Sequence, residues 1–257
     1  MTERRARIER FFFDGIDGFE PVLAPSHYTL ESGGRIRNAQ TAPAALTRFY
    51  QFHLKREGSR LLVVPGLLEN LAYGALFNAA ESTALGAEFR QFFISQVQTL
   101  AIHDVNGFFD RIPDKYLPGE SNPDVNPQAF VSGANFSRGA GTTDGKAFND
   151  AIAAELKRVG SAISVDDLMV RVDISQCHGC HVGGPPLGDG LTFPPAFIGT
   201  HIDETPDSTG PSPAFKISTA LRNVFAPNRA RILSEFLAGK PLPMHSNGTI
   251  GGGRTSD

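Results

Sequence analysis

The chain has two cysteines, and both stand in one pentapeptide, Cys177-His178-Gly179-Cys180-His181. This C-x-x-C-H pattern constrains the chain more than any other feature. Two thiols at this spacing can each add to one of the two vinyl groups on one edge of a haem. The histidine that follows then lies under the iron, where a ring nitrogen can serve as the proximal ligand. With cysteine this scarce, an accidental C-x-x-C-H is improbable. The leading expectation is one covalently held haem c per chain, attached through Cys177 and Cys180, with His181 on the iron.

Three other readings compete for the same residues. A structural disulfide is possible, but the C-x-x-C ring is tight, and such pairs are usually redox or metal elements. A thioredoxin-like dithiol needs strand, C-x-x-C, then helix. Met169-Val170-Arg171-Val172-Asp173-Ile174 could be the strand, but Gly183, Gly184, Pro185, Pro186 and Gly188 oppose a regular helix after the motif. Zinc could take Cys177, Cys180 and two histidines, yet no second Cys/His pair at finger-like spacing supports it.

The 257 residues suffice for one large domain or two small ones. With a net charge of −3 and scattered basic residues, nothing points to nucleic acid. Twenty phenylalanines and no tryptophan make an unusual aromatic balance. Some could line a haem crevice, although ordinary core is the use expected of most of them. No apolar run approaches the roughly 18 residues of a membrane-spanning helix, so no integral membrane segment is expected. Met1-Thr2-Glu3-Arg4-Arg5-Ala6-Arg7 is basic, but only Phe11-Phe12-Phe13 follows, too short for the core of a signal peptide. Haem attachment to C-x-x-C-H normally takes place outside the bacterial cytoplasmic membrane or in an organelle. A periplasmic or extracellular bacterial location, with an export leader apparently absent from this chain, is therefore expected.

Helical signals dominate, and the expected class is mainly α. Thr41 with Pro43 opens a predicted helix whose face is Leu46, Phe49, Tyr50, His53 and Leu54, with Gly58 as its stop. Leu61-Leu62-Val63-Val64-Pro65 reads as a short strand. Residues 83–102 carry the strongest helical periodicity, through Leu85, Phe89, Phe92, Phe93, Val97 and Leu100. Residues 113–145, rich in proline and glycine, read as a loop or linker. A helix then starts at Asp144 with Phe148, Ile152, Leu156 and Val159 on one face. Ser164-Val165-Asp166-Asp167 resembles a capping box for a short helix leading to the motif. Residues 183–213 are irregular, and Ser218–Phe225 reads as a short helix stopped by Pro227. Asn228 is predicted to cap a last helix that buries Ile232, Leu233, Phe236 and Leu237. The division expected is a mainly helical part, residues 1–140, of unassigned role, and a haem-binding part, residues 141–257.

Helix, C-x-x-C-H, long loop, helix resembles the order of a mono-haem cytochrome c over about residues 144–240. The resemblance implies Cys177 and Cys180 as thioether attachments, His181 as proximal ligand, and a last helix that crosses back over the one before the motif. The chain departs from the pattern at two points. Cytochromes of this type often place an aromatic residue four before the first cysteine, where this chain has Asp173. The loop between the motif and the last helix holds no methionine, the usual sixth ligand.

His201, 20 residues after His181, is the leading candidate for that sixth position. Met244, His103 and His53 are the alternatives. His53 is expected on an apolar helix face, and His103, beside Asp104, at the end of a strong helix. Histidine on both faces of the haem suits single-electron transfer to redox partner proteins. A vacant sixth site would instead suit a peroxidase-like enzyme or a sensor of oxygen, nitric oxide or carbon monoxide. Oligomeric state is not legible.

Overall fold

The computed structural model describes residues 2–16, 18–29, 32, 34–41, 47–68, 72–108, 112–121, 131–175, 186–193, 202–207 and 214–240. The chain divides into two compact units. The first holds the described residues up to Leu68 together with Gly119–Ser121, and the second holds the rest. Helix exceeds strand over the described chain, but the two units differ in kind.

The first unit is built on an antiparallel sheet, not on the helices expected of the N-terminal part. It opens with α1, Thr2–Glu9, followed by a π-helical turn, Arg10–Asp14. Strand β1, Ile36–Thr41, pairs with β2, Thr47–Glu57, with Ile36 opposite Phe52 and Thr41 opposite Thr47. Strand β3, Arg60–Gly66, pairs with β2 from Glu57 opposite Arg60 to Gln51 opposite Gly66. A two-residue strand β4, Glu120–Ser121, pairs with Tyr50 and Phe49.

The helix predicted to end at Gly58 is therefore the long strand β2. Gly58 is the first residue of the hairpin loop to β3, with φ +60°, a conformation that two-residue hairpin loops favour and glycine adopts without strain. The Leu61–Val64 run is a strand as expected, and the strand that pairs with it is the segment just before it in the chain. His53 does not lie on a helix face. It is buried in the sheet, with Nδ1 2.9 Å from the Gly34 carbonyl oxygen and Nε2 3.4 Å from the Gln51 amide nitrogen. Gln51 Oε1 in turn accepts from Arg37 Nε at 3.1 Å.

The second unit is helical. Its elements are α2, Ala84–Leu100; α3, Ser132–Gly139; α4, Thr143–Arg158; α5, Val165–Ser175; a hairpin of β5, Ile202–Asp207, and β6, Ala214–Ile217; and α6, Ala226–Leu237. Helix α2 spans nearly the predicted range, and Thr83 caps it by accepting from the Gly86 amide at 3.0 Å. Its buried face, Phe89, Phe93, Val97 and Leu100, packs on α4, α5 and the 3-10 turn Gly74–Phe77.

The core of this unit is aromatic. Phe77 meets Phe89 and Phe93 edge to face at 4.8 and 4.9 Å, and Phe93 meets Phe148 at 6.0 Å. Phe136 meets Phe148 at 5.7 Å, and Tyr116 closes the other side against Phe89 at 5.2 Å. These spacings suit the ring quadrupoles. Phe77, Phe89, Phe93, Phe136 and Phe148 are thus ordinary core, whereas Phe11, Phe13 and Phe19 are exposed.

Three helix boundaries differ from expectation. Residues 113–145 are not all linker, since α3 lies inside them. Its buried residues are Ser132, Asn135, Phe136 and Gly139, a face too small and polar to show apolar periodicity. Gly139 lies so close to Ala79 that an added Cβ would sit 3.1 Å from the Ala79 Cα. Helix α4 is capped by Thr142, which accepts from the Gly145 amide at 3.0 Å, and Asp144 falls in its first turn. The last helix, Ala226–Leu237, continues without a break from a π-helical turn, Leu221–Phe225, so Pro227 does not stop the preceding helix and Asn228 lies inside the helix and does not cap it. Its residues Leu233, Phe236 and Leu237, predicted buried, are exposed at 57, 53 and 75 %.

The expected boundary at residue 140 does not coincide with the division of the chain. Helix α2, from before that point, packs on α4 and α5, from after it.

A candidate haem-attachment site

Helix α5 carries the chain to the motif. Its start is the capping box read from the sequence. Ser164 Oγ accepts from the Asp167 amide at 3.0 Å, and Asp167 Oδ2 accepts from the Ser164 amide at 2.9 Å and from the Ser164 hydroxyl at 2.7 Å. These bonds, the hydroxyl one foremost, hold the Asp167 carboxyl below its ordinary pKa. The buried face of α5 is Leu168, Met169, Arg171, Val172 and Ile174, packed on α2, α3 and α4. Because Met169–Ile174 is helix, the strand that a thioredoxin-like dithiol requires before its C-x-x-C is not there.

Asp173, where the cytochrome pattern favours an aromatic residue, has a local function instead. Its carboxylate accepts from the Gly133 amide, with both oxygens at 3.3 Å. That amide is in the first turn of α3, whose flanking Val131 provides no side-chain cap. A carboxylate there satisfies a free amide and complements the helix dipole.

Helix α5 ends at Ser175, two residues before Cys177. Cys177, Cys180 and His181 lie outside the described residues, as do His201 and Met244. The chain is described again at Pro186, and it runs back along α5. Leu187, fully buried, accepts from Arg171 Nε at 2.7 Å. Gly188 lies against Asp167 on the first turn of α5, so close that a Cβ would stand 2.7 Å from the carboxylate. A tight turn follows, with φ of +78°, +47° and +81° at Gly188, Asp189 and Gly190. It is closed by the Leu187 amide donating to the Leu191 carbonyl at 2.8 Å and by a bridge between Pro186 and Thr192. Phe193, buried, meets Phe225 at 5.8 Å.

One buried charge organises these contacts. Arg171 has no exposed surface. Besides the bond to Leu187, its Nη1 donates to the carbonyls of Leu100 and Ile102 at 2.9 and 2.8 Å, and its Nη2 to Asp189 Oδ1 at 2.9 Å. Leu100 is the last residue of α2, so the guanidinium satisfies a helix-end carbonyl and meets the negative end of the dipole. The Phe108 ring lies 5.1 Å from the guanidinium carbon. Burial pushes the Arg171 guanidinium below its ordinary pKa, and Asp189 and Asp167 oppose that shift. An arginine remains charged across any such shift.

No protein family, no curated protein and no solved structure matches the chain.

The histidines described differ in what they could do. His53 is walled in, with both ring nitrogens beside groups of its own unit and its ring against Gly66, where a Cβ would come within 2.6 Å. It could not reach an iron without opening the sheet. His103, just past the end of α2, is mostly exposed, and its Nδ1 lies 3.3 Å from Asp189 Oδ1. Among the described residues no three His, Cys, Asp or Glu side chains gather as a metal site. The donor chemistry suited to a haem is that of the motif, two thiols for the vinyl groups and one imidazole for the iron. Arg171 and Asp189 went unread in the sequence. The signal was a lone arginine inside the apolar stretch Leu168-Met169-Val170-Arg171-Val172, a position a solvated charge would not take.

Proposed function

We propose that the chain is a mono-haem c-type cytochrome that passes single electrons to redox partner proteins outside the bacterial cytoplasmic membrane. The observation that carries this reading is the concentration of both cysteines in Cys177-His178-Gly179-Cys180-His181, directly after α5. In attachment, each thiol adds across one vinyl group. The sulfur bonds to one carbon and the hydrogen goes to the other, with no net oxidation. The bound haem supplies a one-electron Fe(III)/Fe(II) couple. His181 and His201 would be the residues that hold the iron. Partner contacts would be small and transient, as suits electron carriers. Among the described residues no helix is long and apolar enough to cross a membrane.

The test is an absorption spectrum, oxidised and then dithionite-reduced, of protein made with a haem-attachment pathway. The expected result is a sharp low-spin reduced band whose pigment stays with the protein through acid–acetone extraction. Loss of all colour on extraction, or no haem at all, would overturn the reading and leave zinc analysis and thiol titration of Cys177 and Cys180 to decide among the others. Replacing His201 by alanine is expected to convert low-spin iron to high-spin.

The His103–Asp189 pair favours a second reading, a peroxidase-like enzyme or gas sensor. A carboxylate at one ring nitrogen orients the imidazole and leaves the other nitrogen for acid–base work. Rapid carbon monoxide binding to the reduced wild-type protein would select it.

A further inference from the structure

Strand β3 ends the strand order of the sheet in the first unit, and its outer side is an edge. Its residues Arg60 to Val63 are all exposed, with Leu61, Leu62 and Val63 at 42, 37 and 63 %. From Leu61 to Gly66 the strand carries no charge. Folded proteins ordinarily blunt an apolar edge strand with charge or cover it, because its main chain is a template for pairing.

The register shows which main-chain groups this edge offers. Gly58-Ser59 is a two-residue hairpin loop, so Glu57 and Arg60 form a hydrogen-bonded pair. Such pairs alternate along an antiparallel ladder. Leu62, Val64 and Gly66 therefore also turn their main-chain groups inward, to Lys55, His53 and Gln51. Leu61, Val63 and Pro65 turn theirs outward. Pro65 has no N–H, and proline is tolerated in a strand where that group would face away from the sheet. The edge thus offers donors at Leu61 and Val63 and acceptors at Leu61, Val63 and Pro65.

A strand laid along this edge must be apolar on both faces, since Leu61 and Val63 lie on one face of the sheet and Leu62 and Val64 on the other. The strand itself meets that requirement. A two-fold axis at Leu62 sets Leu61 opposite Val63 of the partner subunit and Val63 opposite Leu61 of the partner subunit. Every outward donor of both edges is then used. Pro65 falls beside the turn at Ser59 of the partner subunit, past the end of the pairing. Sliding the axis to Val63 would set Leu61 against Pro65 of the partner subunit, whose ring stands where a donor is needed. Sliding it to Leu61 would set Val63 against the turn. The edge is complementary to a second copy of itself in one register.

We propose that β3 is a dimerisation edge. Two copies of this chain pair β3 to β3, antiparallel about a two-fold axis at Leu62, and join their sheets. On one face Leu61 and Val63 of both copies pack together, and on the other Leu62 meets Leu62 of the partner subunit across the axis. Such a contact is closed, so assembly stops at two chains. The inference stands apart from the haem reading.

The test is made on the full chain. Light scattering after size exclusion is expected to give about twice the 27.6 kDa of one chain as concentration rises. Hydrogen exchange reads the register. The Leu61 and Val63 amides should slow as the dimer forms, whereas those of Leu62 and Val64, bonded to β2, should be slow at every concentration. Val63→Pro removes a donor from the outer edge and none from the β2–β3 ladder. It should keep the circular dichroism of wild type and weaken dimerisation at least about tenfold, because the bond is lost from both copies. Leu237→Lys, at an exposed apolar residue of α6, should dimerise as wild type does. Should Val63→Pro not fold, Val63→Lys, which places a charge on the edge, carries the test. A monomer at every concentration, a mass beyond two chains, or Leu61 and Val63 amides that stay fast in the dimer would overturn the proposal. So would a dimer unaffected by the Val63 variants.

Discussion

Phe93→Ala is the most direct probe of the scaffold behind the motif. Phe93 has no exposed surface, and its ring meets Phe77 at 4.9 Å and 75°, Phe148 at 6.0 Å and 70°, and Phe89 at 6.1 Å. It thus joins the 3-10 turn, α2 and α4 in one cluster. Truncating a buried phenylalanine to alanine costs about 3–5 kcal/mol through lost transfer energy and the cavity left behind. Each well-oriented ring pair adds about 0.5–1.5 kcal/mol beyond area. Three pairs are lost together, so the upper part of that range, about 4–5 kcal/mol, is expected. Phe93→Leu fills most of the cavity but loses the ring geometry, and should cost about half as much. Phe215→Ala, at a side chain 58 % exposed, should change stability by less than about 0.5 kcal/mol. Urea titrations of the full chain followed by circular dichroism measure all three. A loss below about 1.5 kcal/mol for Phe93→Ala would refute the cluster as the centre of this unit. Equal losses for the alanine and leucine variants would refute the ring-geometry part of the argument.

Gly145→Ala should destabilise by at least about 2 kcal/mol by calorimetry, because its Cβ would overlap the Gly139 carbonyl oxygen, a main-chain atom that cannot swing aside. Thr142→Ala removes the acceptor for the Gly145 amide and should cost about 1 kcal/mol, with most of it restored in Thr142→Ser. Asp167 has its carboxyl pKa lowered in the folded state, so its contribution is complete above the ordinary carboxylate range and is lost as pH falls through the lowered value. The stability difference between wild type and Asp167→Ala should accordingly be constant near neutral pH and shrink under acid. A difference that grew on acidification would contradict the capping-box assignment.

How much of the fold was legible depended on whether buried faces were apolar. Helices α2 and α4 and the capping box of α5 could be read because large side chains recur at helical spacing behind a polar start, although the cap of α4 is Thr142 and not Asp144. Helix α3 could not, since its buried face is Ser132, Asn135 and Gly139 beside a single Phe136. Its glycines read as breakers, while Gly139 serves close packing against Ala79. Strand β2 failed for another reason. Leu46, Phe49, Tyr50, His53 and Leu54 read as a helical stripe, although the stretch fits a strand about as well, and Gly58 ends either a helix or a hairpin arm. The Leu61–Val64 run held the missing clue, because an isolated strand needs a partner, and the nearest candidate precedes it across Gly58-Ser59.

The C-x-x-C-H pattern is a feature of the sequence, and its residues lie outside the described ones, whereas the elements on either side of it could be compared with expectation. A mono-haem cytochrome order implies that the last helix crosses back over the helix before the motif. Here the buried face of α5 is occupied by α3, α2 and α4, and the apolar residues Leu233, Phe236 and Leu237 of the last helix stand exposed. Attachment chemistry needs only two thiols and an imidazole at fixed spacing on a chain that can close around one haem edge. It does not need a particular bundle of helices, since chemistry resides in sites that different folds can carry.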